Sequence, residues 1–186
     1  MHALKYLSHG ATPGLQEVLA NREKRVQRMT ELKEEFPEAT IICYKLNIPG
    51  PVKNNNYIEE IFFEGLTPIK EGLSEAEIPL LYEEEVHRRT GSELFLVCEA
   101  EGEAVKRLML DIEETHHYGR LFDIDVETAR ETISRQDLAW PERSCFLCDK
   151  PAKECARSRT HSVEEMLIWI EQLIEERKRN VNQESI

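Results

Sequence analysis

Apolar residues recur along this chain at two different periods. From Leu15 to Phe36 they fall at Leu15, Val18, Leu19, Val26, Met29, Leu32 and Phe36, the spacing of one helical face. Thr12-Pro13 supplies a cap and a first turn, so a helix over 12–36 is expected, ending ahead of Pro37. Arg22 and Arg25 fall on the apolar side of it, where they either snorkel to water or are aimed at an anion. Residues 39–46 are rich in β-branched side chains and predict a strand. Two prolines and a glycine then make a rigid loop, with Lys53 just ahead of a helix that opens at Asn56 and is expected to reach about Gly65. Gly72 and the polar run 74–77 break the pattern. Two strands at 78–86 and 93–98 flank a turn at 88–92. A helix over 102–117 follows, with Gly119 placed to cap its end.

The period changes to two at 118–126. Phe122, Ile124 and Val126 should face a core, with Asp123, Asp125 and Leu121 on the other side. Thr132 to Arg135 reads as a short returning strand. Ser162-Val163-Glu164-Glu165 is a capping box that starts an amphipathic helix over 162–179, with the polar end from Asn180 expected to fray. The succession strand, helix, strand, strand, helix, strand predicts an α+β fold of βαββαβ, ferredoxin-like order: an antiparallel sheet with two helices on one face. The N- and C-terminal helices would be additions, and a mixed nucleotidyltransferase-like sheet is the alternative. A length of 186 residues fits one domain spanning 1–186.

The net charge of −12 argues against broad nucleic-acid binding, which needs a basic footprint. No apolar run approaches membrane-spanning length, and the first seven residues are too short and polar for a signal peptide, so a cytoplasmic protein is expected. Its five cysteines are then thiols or metal ligands. Positive charge is nevertheless concentrated, at 22–28 and again at Arg143, Lys150, Lys153, Arg157 and Arg159.

Two features carry candidate chemistry. Asp123 and Asp125 on one strand face repel each other and need compensation. A divalent cation such as Mg²⁺ supplies it through oxygen ligands, and also binds substrate phosphates. The plain alternative is a solvated strand end. Cys145-x2-Cys148-x6-Cys155-x5-His161 is an accepted Cys₃His set for zinc, although its middle spacing matches no standard finger. It reads equally as thiols packing a tight knuckle whose arginines bind phosphate, and less readily as a redox pair.

Taken in order, five blocks resemble the citrate lyase holo-acyl-carrier-protein synthases, the CitX family. They are Arg22 with Arg25; Pro49-Gly50-Pro51-Val52-Lys53; Gly119 through Val126; Ser134-Arg135-Gln136-Asp137; and Arg143 through Cys145, Cys148, Cys155, Arg157 and His161. The likeness spans nearly the whole chain and is most specific from Gly119 to His161; from Gly65 to Gly102 no motif contributes. It implies an enzyme of nucleotidyltransferase type. The donor would be 2′-(5″-triphosphoribosyl)-3′-dephospho-CoA, the acceptor a serine of the apo acyl carrier (γ) subunit of citrate lyase, and the second product diphosphate. On that reading Asp123 and Asp125 hold Mg²⁺, and one of them or His117 takes the serine proton. Arg120, Lys53, Arg135 and Arg157 bind the phosphates, with Arg22 and Arg25 further out. The late basic cluster would offer a docking face to the carrier. A carrier protein of malonate decarboxylase is the alternative acceptor, and a non-enzymatic Cys₃His metal-binding adaptor the alternative of another class.

Overall fold

The computed structural model describes residues 4–184; Met1 to Ala3 and the last two residues of the tail lie outside them. Five strands, β1 (Thr40–Leu46), β2 (Leu80–Arg88), β3 (Gly91–Cys98), β4 (Phe122–Glu127) and β5 (Thr132–Ile133), form one sheet. Its order is β2-β3-β1-β4-β5, and every neighbouring pair is antiparallel. Helices α1 (Leu15–Glu35), α2 (Asn56–Glu75), α3 (Gly102–Thr115), α4 (Ala152–Ser158) and α5 (Val163–Glu184) complete the fold. The expected βαββαβ succession is present as β1-α2-β2-β3-α3-β4.

The pleat divides the sheet into two unlike faces. Ile42 lies opposite Leu96 and Val126, and Tyr44 opposite Leu94 and Ile124. These residues, with Phe122, form the main core under α2, α3 and α5. On the opposite face Ile41, Cys43, Phe95 and Val97 pack under Met29, Leu32 and Phe36 of α1. Helices therefore cover both sides of the sheet.

Only the second half of α1 behaves as the apolar spacing predicts. Leu15, Leu19 and Val26 are 70%, 41% and 61% exposed, while the inward stripe is Asn21, Arg25, Arg28, Met29 and Leu32. The strands beneath the first half carry charge, and the helix answers with polar residues. Arg25 and Asn21 donate to Glu93, and Arg28 donates to Glu84. The N-cap is Gly14, without a side-chain bond, rather than Thr12.

Helix α2 runs ten residues beyond Gly65, through Pro68 and Gly72. An interior proline costs a helix about 3 kcal/mol. Burying Leu66, Ile69 and Leu73, at roughly 1.5–3 kcal/mol each, offsets it. Gly72 lets Leu108 of α3 approach, since a Cβ there would meet Leu108 Cδ1 at 3.1 Å. The Ser162 capping box forms as read: Ser162 N–H donates to Glu165 at 2.7 Å, and Glu165 N–H donates to Ser162 Oγ at 3.1 Å. Helix α5 then continues past 179 to Glu184. Its buried Glu171 accepts from the backbone N–H groups of Lys5, Tyr6 and Leu7, which ties the N-terminal segment down.

Gly119 does not cap α3, which ends at Thr115; it opens a 3-10 turn, Gly119–Leu121, that leads straight into β4. The turn lies so close to α3 that a Cβ on Gly119 would sit 2.3 Å from the Glu113 carbonyl oxygen. Leu121 is buried in the main core from this turn and does not share the face of the aspartates. Gly119→Ala must push backbone off backbone, so it should cost about 1–3 kcal/mol, read as a lower urea midpoint at unchanged slope.

Candidate functional site

Strand β4 alternates buried and half-exposed residues from end to end, and Asp123 and Asp125 occupy the half-exposed positions facing the α1 side. Their partners in register are Lys45 and Cys43 of β1. Lys45 Nζ lies 2.8 Å from Asp123 and 2.6 Å from Asp125, so a single ammonium compensates both carboxylates. On its other side Lys45 pairs in register with Glu93 of β3. Burial pushes the Asp123 carboxyl up, but Lys45, helped by Arg143 and Arg25, outweighs it and holds the group below the usual carboxylate range. Burial pulls the Lys45 ammonium down, and Asp123 and Asp125 reverse that, leaving it above the ordinary lysine value. Both carboxylates thus converge on one cationic point, the Lys45 ammonium, which gives them the compensation expected of a divalent ion.

Asp123 lines two cavities. The first, of about 230 Å³, lies between α1 and the loop after β1; Arg22, Arg25, Lys45 and Lys53 line it together with Glu93 and Asp123. Arg25 is committed to Glu93 at 2.5 Å, and Lys53 Nζ donates to the Ile48 carbonyl at 2.6 Å. Burial lowers the Lys53 ammonium below its ordinary value. Arg22 is exposed at the rim.

The second cavity, of about 300 Å³, is lined by both aspartates and by Lys106, Arg135, Arg143, Lys153 and Ser134. Its cations are organised by Glu113 of α3, whose side chain is only 3% exposed. Glu113 accepts from Arg135 at 2.6 Å and from the Ile124 N–H at 3.1 Å, and forms an ion pair with Arg143 at 2.7 Å. Arg143 also donates to the Phe122 carbonyl at 2.9 Å, and Lys106 to the Ile124 carbonyl at 2.7 Å. One anion thus holds two guanidinium groups beside β4, and with Glu142 also on the wall the cavity sets four cations against four carboxylates.

Beyond this cavity the chain closes on itself. Cys145, Cys148, Cys155 and His161 bring one ligand atom each to within 4.8 Å of one another. Cys148 Sγ lies 3.5 Å from Cys155 Sγ and 3.3 Å from His161 Nε2. Ligands around a tetrahedral ion with bonds of about 2.3 Å stand roughly 3.8 Å apart, so this group could hold a metal. Burial raises the Cys145 thiol, and the Leu147 N–H together with Cys155 and Cys148 brings it below the ordinary value.

The structure gathers Asp123, Asp125, Arg22, Arg25, Lys53 and Arg135 around the two cavities. It does not bring His117 there. That imidazole bonds the Leu173 carbonyl at 2.8 Å, on the α5 side. Arg120 donates to the Ser144 carbonyl and lies over the Phe146 ring, and Arg157 is exposed on α4; neither lines either cavity. Three participants were not singled out as site residues from the sequence: Lys45, Lys106 and Glu113. Lys45 had a signal, as the one charge on the inward alternation of an otherwise apolar strand.

A family model described as apo-citrate lyase phosphoribosyl-dephospho-CoA transferase, CitX, matches residues 14–177. The chain belongs to this family. It is 36% identical, over 164 residues, to a probable apo-citrate lyase phosphoribosyl-dephospho-CoA transferase of Streptococcus pyogenes serotype M18, covering 86% of this chain and 84% of that one. It is 30% identical over 175 residues to the apo-citrate lyase phosphoribosyl-dephospho-CoA transferase of Escherichia coli O139:H28, covering 94% and 95%. It is also 35% identical over 170 residues to the Protein CitXG of Leuconostoc mesenteroides subsp. cremoris, where the match covers 87% of this chain but 35% of that longer protein. No helix among the described residues is long and apolar enough to cross a membrane.

The Lys45 clamp makes a direct prediction. Lys45→Met removes the largest charge that opposes burial, so the Asp123 carboxyl midpoint should rise in a carboxylate NMR titration. An unchanged midpoint would show that Lys45 does not hold it down.

Proposed function

We propose that this chain transfers the phosphoribosyl-dephospho-CoA group from 2′-(5″-triphosphoribosyl)-3′-dephospho-CoA to a serine of the apo acyl carrier (γ) subunit of citrate lyase, releasing diphosphate. The observation that carries the reading is a pair of convergent carboxylates beside a cavity that also presents Lys106, Arg135, Arg143 and Lys153, in a chain matched by the transferase family over residues 14–177. The whole of 1–186 acts as one transferase domain, and the setting is the cytoplasm.

In this transfer the serine Oγ attacks the α-phosphorus of the donor. A phosphodiester bond forms, and the bond to the departing diphosphate breaks. Such chemistry rests on positioning and charge neutralisation more than on covalent catalysis. Lys106, Arg135 and Arg143 are suited to the triphosphate, because guanidinium groups hold phosphate oxygens in pairs. Lys53, Arg22 and Arg25 can serve the diphosphate of the CoA part from the first cavity. Asp123 and Asp125 would hold Mg²⁺, which neutralises charge on the attacking and leaving oxygens. One of these aspartates receives the serine proton, since His117 is bonded on the other side of the sheet. Arg120 and Arg157 act from outside the two cavities. At the Cys₃His group we propose zinc in a structural role.

An intact-mass measurement tests the reading. With donor, Mg²⁺ and apo γ subunit, the carrier should gain the mass of the prosthetic group. Asp123→Asn and Asp125→Asn should each slow that gain roughly 10²-fold or more. Transfer at the parental rate in both variants would sink the carboxylate mechanism. Modification of a malonate decarboxylase carrier in preference would move the acceptor, and no modification of either would favour the adaptor.

A further inference from the structure

The segment 141–161 is held with very little core. Within it only Cys155 is buried; Arg143, Cys145, Phe146, Leu147, Cys148, Ala152 and His161 are half-buried, and the rest are exposed. Its one regular element is the short helix α4. Ordering a residue costs about 1–2 kcal/mol in backbone entropy, which so small an apolar surface does not offset over some twenty residues. Yet the segment is closely shaped. Ser144 bridges to Pro151, the Cys145 N–H donates to the Lys150 carbonyl at 2.7 Å, and the Ala152 N–H donates to the Arg143 carbonyl at 2.8 Å. The four ligand atoms that could grip a metal span the segment from Cys145 to His161.

This segment supplies cations to the cavity beside β4. Arg143 stands two residues before the first ligand, and Ala152 and Lys153 lie between the second and third; all three line the cavity that holds Asp123 and Asp125. The segment is tied to the body of the protein at its start by Arg143, on Glu113 and the Phe122 carbonyl, and at its outer side by two further contacts. Phe146 stacks on Trp169 of α5 at 5.0 Å, and Arg120 donates to the Ser144 carbonyl.

We propose that zinc at Cys145, Cys148, Cys155 and His161 is the clasp that positions Arg143 and Lys153 for the phosphates of the donor. The inference rests on the phosphate role assigned to that cavity. A structural ion of this kind supplies the folding free energy that a small segment lacks. Without it, the main core under α2, α3 and α5 loses no buried residue, because all its members lie outside 141–161 apart from the packing of Phe146. The defect should therefore be local to anion binding.

The experiment uses the full chain, elemental analysis, far-UV circular dichroism and calorimetric titration with inorganic tripolyphosphate in the presence of Mg²⁺. As purified the protein should carry one zinc, and Cys148→Ser should lose it. The chelator-stripped protein should keep its helical spectrum, while its affinity for tripolyphosphate falls about ten-fold or more, the scale of one lost charged hydrogen bond, and returns on adding zinc. Arg143→Gln should weaken binding in the zinc-loaded protein and add little in the stripped one. A protein that neither contains nor takes up zinc overturns the clasp. So does a zinc protein that binds tripolyphosphate equally well after stripping, or one whose helical spectrum collapses on stripping. If Arg143→Gln binds as tightly as the parent while zinc is present, the phosphate role of the cavity fails, a result separate from the metal content.

Discussion

A single buried carboxylate, Glu113, fixes the relation between the strand that carries the aspartates and everything that surrounds it. It sits on α3, accepts the backbone N–H of Ile124 in β4, and receives Arg135 from the segment after β5 and Arg143 from the start of the cysteine segment. Four pieces of chain that are separate in sequence meet at one side chain. A charge so enclosed is costly to bury alone, and removing its partners would leave several kcal/mol uncompensated. The arginines are therefore as necessary to Glu113 as Glu113 is to them. The cavity beside β4 gathers its cations because this arrangement brings two guanidinium groups to one carboxylate, with Lys106 and Lys153 close by.

The two faces of the sheet divide the work. One is apolar across β1 and β4 and most of β3, turning charged only at Glu83 and Glu85 of the edge strand β2, and answers to three helices. The other is apolar only where the second half of α1 lies on it, and then turns to Lys45, Glu93, Asp123 and Asp125. Chemistry can be concentrated on that second zone because stability is secured on the first. A chain of net charge −12 offers an anionic ligand little attraction over the surface at large, so binding rests on the local cations of the two cavities.

What could be read in advance followed from short-range signals. The alternation of β4 and the capping box at Ser162 depend on neighbours a few residues away, and both formed as read. The length of α2 did not follow, because burial against α3 overrode Pro68 and Gly72. The exposure of Leu15, Leu19 and Val26 did not either. It depends on charges in strands 50 to 80 residues further along the chain, which helical periodicity cannot sense. The same limit explains the site. Asp123, Asp125 and Arg135 stood in a recognisable block, whereas Lys45 and Glu113 acquire their roles only through pairing across the sheet and packing of α3. His117 looked close to the aspartates because it is close in sequence, but the 3-10 turn at Gly119–Leu121 separates the two sides.

The alternation along β4 also bears on how the chain avoids error. A slip of one residue against β1 would send Asp123 and Asp125 into the main core and turn Phe122, Ile124 and Val126 toward Lys45. Unpaired carboxylates in an apolar interior cost several kcal/mol each, so the misaligned pairing is strongly disfavoured from the moment it forms. The acids that make β4 useful thus also act as its proofreaders, rejecting wrong registers during folding before any ligand is met.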